Sequence, residues 1–338
     1  MKIAFFEIHD QEKEFFQKRL SRHTLSFNTG PLTTSNVSKA KNCDIISVFT
    51  ASKINEEVLS KIPSLKLITT RSTGYDHIGV ASCKKRGIFV TNVPKYGENT
   101  VAEHTFALLL AASRNIHKAY DKTSKNDFTL SGLQGFDLKG KTIGIMGLGS
   151  IGMHVLRIAK GFEMSVLVNT RKQDKTLAKK LGFSYVTLHD LFRKSDIITL
   201  HIPLTQETKH IINANAFSKM KKGVVIVNTS RGALIDTKAL IKALDNKIVS
   251  YAALDVLEGE DILKEEHELL HNPRKRAEYV AAARGHTLLK YSNVIFTPHI
   301  GFYSKEAVQR ILDTTADTIL SFTSKKYRLL KSVSYQSL

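Results

Sequence analysis

A glycine motif in the middle of the chain constrains the fold more than any other feature. It consists of Gly147, Leu148, Gly149, Ser150, Ile151 and Gly152. An apolar run at 142–146 precedes it and a helical pattern follows it. In a strand–turn–helix unit the first glycine permits the tight turn, the second lets a pyrophosphate approach the backbone, and the third lets helix and strand pack closely. The motif therefore predicts a dinucleotide-binding unit with an anion at the helix N-terminus.

Short runs rich in valine and isoleucine alternate with helical patterns along the chain. They lie at 3–6, 45–49, 67–70, 88–91, 142–146, 165–168, 196–200, 224–228, 250–254 and 294–297. Because the runs lack polar alternation, we expect strands that are buried on both faces. Strands that alternate with helices indicate right-handed crossovers and parallel sheets. This number of strands exceeds one small sheet, and a length of 338 residues suits two domains.

The chain is expected to cross between the two domains twice. The turn signal Asn92-Val93-Pro94 precedes a helix predicted over 99–113, and a last helix is predicted over 305–323. These signals predict one domain formed by residues 1–98 plus 300–338 and a second formed by residues 99–299.

Two segments of the second domain differ from the alternating pattern. The polar segment 121–139 contains glycines but no clear period, which predicts a long connection. The charged segment 261–290 predicts a helical insertion whose role the sequence does not indicate.

Composition limits the classes of partner. Lys and Arg number 50 against 31 Asp and Glu, a formal net charge of +19, but the lysines are spread along the chain in pairs. This spread indicates a solvated surface or the steering of anionic ligands more than nucleic-acid binding. The longest apolar run, 106–112, is far shorter than the ~20 residues of a membrane span. Residues 1–6 meet Glu7 too early for a secretory signal, and two cysteines form neither a disulfide framework nor a zinc site. We therefore expect a cytoplasmic protein with no metal, membrane or nucleic-acid partner.

The residues after the second strand of the dinucleotide unit indicate the type of coenzyme. An acid about 20 residues beyond the glycine motif would bind the ribose hydroxyls. Here Thr170 stands in its place and Arg171 follows. A carboxylate repels a 2′-phosphate, whereas a hydroxyl and a guanidinium accept one. The sequence therefore favours NADP(H) slightly over NAD(H), unless Arg171 is simply an exposed turn charge.

Polar side chains lie just after four of the predicted strands. They are His201, Arg231, Asp255 and His299. In an open α/β sheet the ligand crevice lies outside the carboxyl ends of the strands. A single residue of this kind is usually solvated or capping, but four together with the glycine motif favour a binding site, with Arg231 and His299 near a bound coenzyme.

Several motifs together resemble one known family. They are Asn92-Val93-Pro94, Ala102-Glu103-His104, the glycine motif, His201-Ile202-Pro203, 227–232, 255–260 and Thr297-Pro298-His299. Over nearly the whole length the chain is similar to the D-isomer-specific 2-hydroxyacid dehydrogenase family, in its D-lactate dehydrogenase-like branch. The resemblance implies two Rossmann-like domains, doubly wound parallel sheets of which the substrate domain is flavodoxin-like, with the active site in the cleft between them. It also implies a homodimer formed through the nucleotide-binding domains.

The resemblance implies roles for particular residues. His299 would be the general acid/base, Glu260 its partner, and Arg231 the group that binds the substrate carboxylate and carbonyl oxygen. The coenzyme-binding set would comprise Gly147, Gly149, Ser150, Ile151, Gly152, Thr170, Arg171, His201, Ile202, Pro203, Thr208, Thr229, Ser230 and Asp255. The substrate-binding set would comprise Thr73, Gly74, Tyr96 and Phe302, although Phe302 could merely begin the last helix.

The family implies NAD(P)-dependent interconversion of a 2-oxo acid and a D-2-hydroxy acid, with pyruvate or a larger 2-oxo acid as substrate. A hydroxypyruvate or glyoxylate reductase shares the same motifs. A dinucleotide-sensing binding protein like the corepressors of this fold remains an alternative of another class, because fold alone does not determine function.

Overall fold

The structure is a computed structural model, and it describes residues 1–260, 285–326 and 333. The chain divides into two compact units, one formed by Met1–Tyr96 with Ser304–Leu338 and the other by Gly97–Tyr303. Most of the predicted insertion at 261–290 lies outside the described residues. Within the described residues no helix is both long enough and apolar enough to cross a membrane.

The first unit contains a parallel sheet of five strands in the order β2-β1-β3-β4-β5. The strands are β1 (Lys2–Phe5), β2 (Thr24–Phe27), β3 (Ile45–Val48), β4 (Leu67–Thr70) and β5 (Phe89–Thr91). Its helices are α1 (Asp10–Arg19), α2 (Glu56–Ser60), α3 (Val80–Lys85) and, at the end of the chain, α11 (Lys305–Thr323). This is the flavodoxin-like strand order, and the order reverses between β1 and β3.

Helices cover both faces of this sheet. On one face Ile3, Phe5 and Phe16 pack with Leu312 and Ile319 of α11. The opposite face packs against α2 and α3 through a second apolar cluster. Every residue of β3 and β4 is buried, as their apolar runs predict.

The second unit contains a parallel sheet of seven strands in the order β12-β11-β10-β9-β6-β7-β8. The strands are β6 (Thr142–Met146), β7 (Ser165–Asn169), β8 (Ser184–Tyr185), β9 (Ile197–Leu200), β10 (Val224–Asn228), β11 (Val249–Leu254) and β12 (Val294–Phe296). The helices are α4 (Glu98–Ser113), α5 (Ile116–Ser124), α6 (Ser150–Gly161), α7 (Lys175–Leu181), α8 (Leu188–Lys194), α9 (Ala214–Ser218) and α10 (Thr237–Asp245). The strand order reverses between β6 and β9, which is where dinucleotides bind beside such sheets.

The predicted fold class, two doubly wound parallel α/β units, is confirmed. The sequence analysis missed β2 and β8. Both are edge strands, and β2 alternates between exposed and half-buried residues while β8 is only two residues long. The predicted connection at 121–139 also begins too early, because α5 continues to Ser124.

Candidate functional site

The glycine motif forms the turn between β6 and α6. Gly147 has a φ of +96°, a conformation that favours glycine, and a Cβ there would lie 2.5 Å from the carbonyl oxygen of His201. A Cβ on Gly152 would overlap the carbonyl oxygen of Gly147. A Cβ on Gly149 would have no neighbour within 4 Å among the described residues. The first and third glycines therefore serve packing, and the second borders open space.

This open space lies at the N-terminus of α6. Among the described residues no side chain caps α6, and its first turn contains no acid. Helices α7 to α10, by contrast, have a first-turn amide bound by the side chain of Asp174, Thr187, Asn213 or Asp236. The first amides of the 12-residue α6 remain available to an anion, which the helix dipole also favours. This end of the unit fits a pyrophosphate group.

The segments after β9 and β10 adjoin the glycine turn. The side chain of Ile202 lies 2.8 Å from the point where a Cβ on Gly147 would stand. The hydroxyl of Ser230 donates a hydrogen bond to the carbonyl oxygen of Ile202 at 2.7 Å. Thr208 likewise donates to the carbonyl oxygen of Pro203 at 2.7 Å. The structure thus brings these residues together at the carboxyl edge of the sheet, and their contacts with a coenzyme stay a prediction.

Thr229 lies deeper at the same edge. It is buried after β10, and its hydroxyl forms a 2.9 Å hydrogen bond with the hydroxyl of Thr105 on α4. Among the described residues, the Thr229 hydroxyl therefore bonds to α4, the first helix of the second unit.

His201 is held in its neutral form. Its Nε2 atom forms a 2.9 Å hydrogen bond with the hydroxyl of Thr199. Burial lowers the pKa of His201 to about 3. The ring is therefore neutral at ordinary pH and cannot serve there as a protonated acid, although it follows a strand just as the candidate acid/base does.

We expect His201→Gln to leave the pH limits of catalysis unchanged between about pH 5 and 8, because His201 does not titrate there. The measurement is the pH profile of kcat/KM for the reaction that the sequence resemblance implies, with saturating coenzyme. A displaced limit in the variant would show that His201 takes part in the proton transfer.

Thr170 and Arg171 stand at the end of β7. Thr170 is half-buried, whereas Arg171 is exposed and its guanidinium lies 2.8 Å from a carboxylate oxygen of Glu207. The sequence analysis missed Glu207, since no local pattern connects residues 36 positions apart.

His299 and Glu260 form a hydrogen-bonded pair. Nδ1 of His299 lies 2.7 Å from Oε1 of Glu260, and the two side chains are 29% and 16% exposed. Oε2 of Glu260 accepts a hydrogen bond from the amide of Leu257 at 3.3 Å. In the described part of the chain no hydrogen bond involves Nε2 of His299. Nε2 is therefore the atom that can exchange a proton with a ligand.

His299 lies in a turn that Asp255 holds. Its φ is +58°, in the left-handed region that costs free energy for a residue with a Cβ. The buried carboxylate of Asp255 accepts hydrogen bonds from the Thr297 hydroxyl at 2.5 Å, the Ile300 amide at 3.0 Å and the Gly301 amide at 2.7 Å. The carbonyl oxygen of Asp255 accepts from the amide of His299 at 2.9 Å. One residue therefore binds the turn on both sides of His299.

Asp255 is charged despite its burial. Nε2 of His104 lies 3.3 Å from its carboxylate. Burial raises the pKa of Asp255, but hydrogen bonds from His104, Thr297 and two backbone amides together hold it below the ordinary value. The sequence analysis places Asp255 among the coenzyme contacts, and that contact stays a prediction beside the positioning role seen here.

Close backbone packing places Arg231. It follows β10, and its carbonyl oxygen accepts a hydrogen bond from the side-chain amide of Asn228 at 2.9 Å. A Cβ on the next residue, Gly232, would overlap the backbone of Leu257. Only glycine at this position lets the Arg231 loop lie directly against the loop that ends at Glu260.

A second histidine–carboxylate pair lies beside these loops, and the sequence analysis missed it. Nε2 of His210 lies 2.6 Å from Glu258, which also accepts a hydrogen bond from the Thr237 hydroxyl at 3.1 Å. The amide of His210 donates to the carbonyl oxygen of Ala233 at 2.9 Å. These bonds join the segment after β9 to both loops.

The predicted substrate residues of the first unit lie after its strands. The hydroxyl of Thr73 donates to the carbonyl oxygen of Val93 at 3.0 Å, and that of Ser72 donates to the carbonyl oxygen of Gly74 at 2.6 Å. Tyr96 is buried, and its carbonyl oxygen accepts from Nε of Arg310 at 2.7 Å. These bonds fix the loops, and the contacts with a substrate stay a prediction.

Arg71 lies beneath the loop that carries Thr73, and the sequence analysis missed it. Its guanidinium is fully buried and donates hydrogen bonds to the carbonyl oxygens of Phe6 at 2.8 Å and Glu7 at 2.5 Å and to the Ser47 hydroxyl at 3.0 Å. It ties together the ends of β1, β3 and β4. Its position just after a buried strand is the same kind of signal that singled out Arg231.

Phe302 belongs to the second unit. Its Cβ lies 3.7 Å from the point where a Cβ on Gly97 would stand, and its ring centroid is 5.8 Å from that of the exposed Tyr303. Both residues precede α11, so Phe302 does not begin the last helix. Its contact with a substrate stays a prediction.

The chain is similar to known proteins of one family. Residues 106–301 match the model of the NAD binding domain of the D-isomer specific 2-hydroxyacid dehydrogenases. The chain is 36% identical over 324 residues to the D-lactate dehydrogenase of Escherichia coli, and the alignment covers 94% of this chain and 96% of that protein. It is 35% identical over 291 residues to a glyoxylate reductase of Pyrococcus furiosus, and the alignment covers 84% of this chain and 80% of that protein.

A solved structure of the same kind is similar along the whole chain. The D-lactate dehydrogenase of Aquifex aeolicus, complexed with NAD and lactic acid, matches with a TM-score of 0.88 and 35% sequence identity. The match covers 99% of this chain and 100% of that one.

Proposed function

Since the chain belongs to the D-isomer specific 2-hydroxyacid dehydrogenase family, we propose that it interconverts a 2-oxo acid and the corresponding D-2-hydroxy acid. The observation that carries the proposal is the pairing of His299 with Glu260 at 2.7 Å. The pair follows β11 and β12, at the same carboxyl edge of the sheet as the glycine turn. An acid/base group and an anion site thus share one edge of the unit.

His299 moves the proton in this proposal. With Nδ1 bonded to Glu260, the protonated ring donates from Nε2 to the forming alkoxide during reduction, and the neutral ring accepts the hydroxyl proton at Nε2 during oxidation. The carboxylate of Glu260 accepts a hydrogen bond from Nδ1 and thereby orients the ring. Asp255 keeps the turn in the left-handed conformation that presents the ring.

Arg231 binds and orients the substrate. A guanidinium forms two parallel hydrogen bonds to a carboxylate and can also stabilise charge that develops on the carbonyl oxygen. We assign further binding of the substrate carboxylate to the backbone amides of Thr73 and Gly74, and further substrate contacts to Tyr96 and Phe302.

The coenzyme is a nicotinamide dinucleotide. The open space beside Gly149 and the uncapped start of α6 fit its pyrophosphate, and the matching family domain binds NAD. When bound, it supplies or accepts the hydride. We assign its remaining contacts to the segments after β7, β9 and β10, which include Thr170, His201 and Thr229.

We propose pyruvate or a larger 2-oxo acid as substrate. Support comes from the similarity to D-lactate dehydrogenases of two bacteria. Glyoxylate or hydroxypyruvate is the second candidate, supported by the similarity to a glyoxylate reductase. We further propose that the five-stranded unit is the substrate domain, that the seven-stranded unit is the coenzyme domain, and that the protein acts in the cytoplasm.

The experiment that tests the proposal follows NADH and NADPH absorbance with purified protein. Each coenzyme is combined with pyruvate, phenylpyruvate, hydroxypyruvate and glyoxylate. Oxidation that depends on any one of these acids supports the reaction, and the ranking of the acids identifies the substrate class. Coenzyme binding without turnover of any of them would contradict it and favour a dinucleotide-sensing binding protein.

We also propose that the protein is a homodimer formed through its coenzyme domain. Four large apolar side chains within 15 residues of chain are strongly exposed: Ile116 at 57%, Tyr120 at 75%, Phe128 at 76% and Leu130 at 85%. Ile116 and Tyr120 lie one turn apart on α5. We call these four residues the α5 patch. Apolar exposure concentrated in this way is typical of an association surface.

We expect the double variant Tyr120→Glu with Leu130→Glu to halve the mass in solution, because two carboxylates cannot be buried in an apolar interface without a large free-energy cost. Light scattering after size-exclusion chromatography measures the mass. Leu289→Glu is the control, since Leu289 is an exposed leucine outside the α5 patch. A monomeric parent protein, or a double variant that remains dimeric, would contradict the assignment.

A further inference from the structure

An exposed ion pair stands where the chain lacks the ribose-binding acid. Thr170 occupies the position of that acid, and the guanidinium of Arg171 lies 2.8 Å from the carboxylate of Glu207. Both side chains are 79% exposed. Such a pair contributes little to folding stability, because water screens it and two long side chains lose freedom in forming it. The pair is therefore of interest for where it lies in the fold and not for the free energy that it adds to folding.

The pair spans the coenzyme side of the seven-stranded sheet. In the strand order, β6 lies between β7 and β9. Arg171 follows β7 and Glu207 lies in the segment after β9, so their side chains meet across the end of β6, where the glycine turn begins. The strand order reverses here, and a dinucleotide beside such a sheet places its adenosine ribose near the end of the second strand of the unit, which is β7.

We propose that Glu207 selects NAD(H) over NADP(H) by holding Arg171 and by supplying the carboxylate that position 170 lacks. The inference rests on the proposed function, because it concerns the same coenzyme. A 2′-phosphate must displace Glu207 from Arg171 and then remain close to a like charge. The ribose hydroxyls of NAD(H) instead donate hydrogen bonds to the carboxylate.

This selection reverses the preference that Thr170 and Arg171 indicate by themselves. An isolated guanidinium at the end of β7 attracts a phosphate, but the net charge of a guanidinium–carboxylate pair is zero, so the pair attracts a phosphate less. Coenzyme preference therefore depends on a residue 36 positions further along the chain.

The test is direct coenzyme binding without substrate, measured by the fluorescence of NADH and NADPH. We expect the parent protein to bind NADH more tightly than NADPH. Glu207→Gln should lower the Kd for NADPH about tenfold, because it releases Arg171 to pair with the 2′-phosphate. The Kd for NADH should rise by no more than about threefold, and the gain for NADPH should shrink at high ionic strength.

A double-mutant cycle separates the pair from simple repulsion. If Glu207 acts by occupying Arg171, the gain in NADPH binding should largely disappear when Glu207→Gln is made in an Arg171→Gln background. Glu57→Gln is the matched control, because it removes an exposed carboxylate that pairs with Lys61 at 3.3 Å in the other unit. The control should leave both Kd values unchanged.

Each contrary outcome has a distinct meaning. An unchanged ratio of NADPH to NADH affinity in Glu207→Gln, or tighter NADPH binding by the parent protein, would overturn selection by Glu207 and leave the proposed function standing. An equal gain with and without Arg171 would overturn the role of the pair. No binding of either coenzyme by the parent protein would overturn the proposed function and this inference together.

Discussion

Asparagine in place of His299 is expected to lower kcat for 2-oxo acid reduction by about 10²–10⁴-fold, the usual contribution of a positioned acid/base. Asparagine suits this position because it tolerates the left-handed region, and His299 has a φ of +58°. The turn held by Asp255 should therefore persist while the imidazole is removed. The measurement is steady-state reduction with saturating coenzyme and 2-oxo acid.

Two measurements distinguish loss of the acid/base group from disruption of the fold. NADH should bind to His299→Asn with the affinity of the parent protein, since the glycine turn and α6 are untouched. His189→Gln, at an exposed position of α8, should retain full activity. A fall of less than tenfold in His299→Asn would remove His299 from the role of acid/base.

Lysine in place of Arg231 is expected to lower kcat/KM for the 2-oxo acid by about 10²–10³-fold. Lysine keeps the positive charge but cannot form the two parallel hydrogen bonds of a guanidinium, so orientation of the substrate is lost although attraction remains. The packing of the loop should survive, because it depends on the Arg231 carbonyl oxygen and on Gly232 rather than on the guanidinium.

The substitution should weaken binding and turnover of the 2-oxo acid and leave binding of the coenzyme nearly unchanged. We expect the KM for the acid to rise and kcat to fall in Arg231→Lys, while the Kd for NADH stays within about threefold of the parent value. Arg193→Lys is the control, because Arg193 is an exposed arginine on α8 that pairs with Asp190 at 3.5 Å. Similar kinetics in Arg231→Lys and Arg193→Lys would show that Arg231 does not bind the substrate.

Much of the fold follows from local sequence patterns. The central strands of both sheets are short runs rich in valine and isoleucine without polar alternation, and a run buried on both faces has few alternatives to a parallel strand between helices. The glycine motif identifies its own turn, because Gly147 needs a positive φ and Gly152 needs close packing. Edge strands carry no such signal, and β2 and β8 were missed for that reason.

The candidate site was only partly predictable, because its residues interact across long separations. A polar residue after each buried strand indicates which edge of the sheet binds ligand, and that argument identified Arg231, Asp255 and His299. It does not indicate which side chains these residues contact. Asp255 meets His104 from 151 positions earlier in the chain (255 minus 104), and Glu207 meets Arg171 from 36 positions later. Only the folded sheet brings such residues together.

The configuration of the product decides whether this chain catalyses the reaction assigned to it. Purified protein would be incubated with NADH and the 2-oxo acid that it reduces fastest, and the hydroxy acid would be resolved by chiral chromatography. We expect only the D-hydroxy acid, in an amount equal to the NADH consumed. The L-hydroxy acid, a racemic product, or no oxidation of either NADH or NADPH with any of the four acids would contradict the assigned reaction.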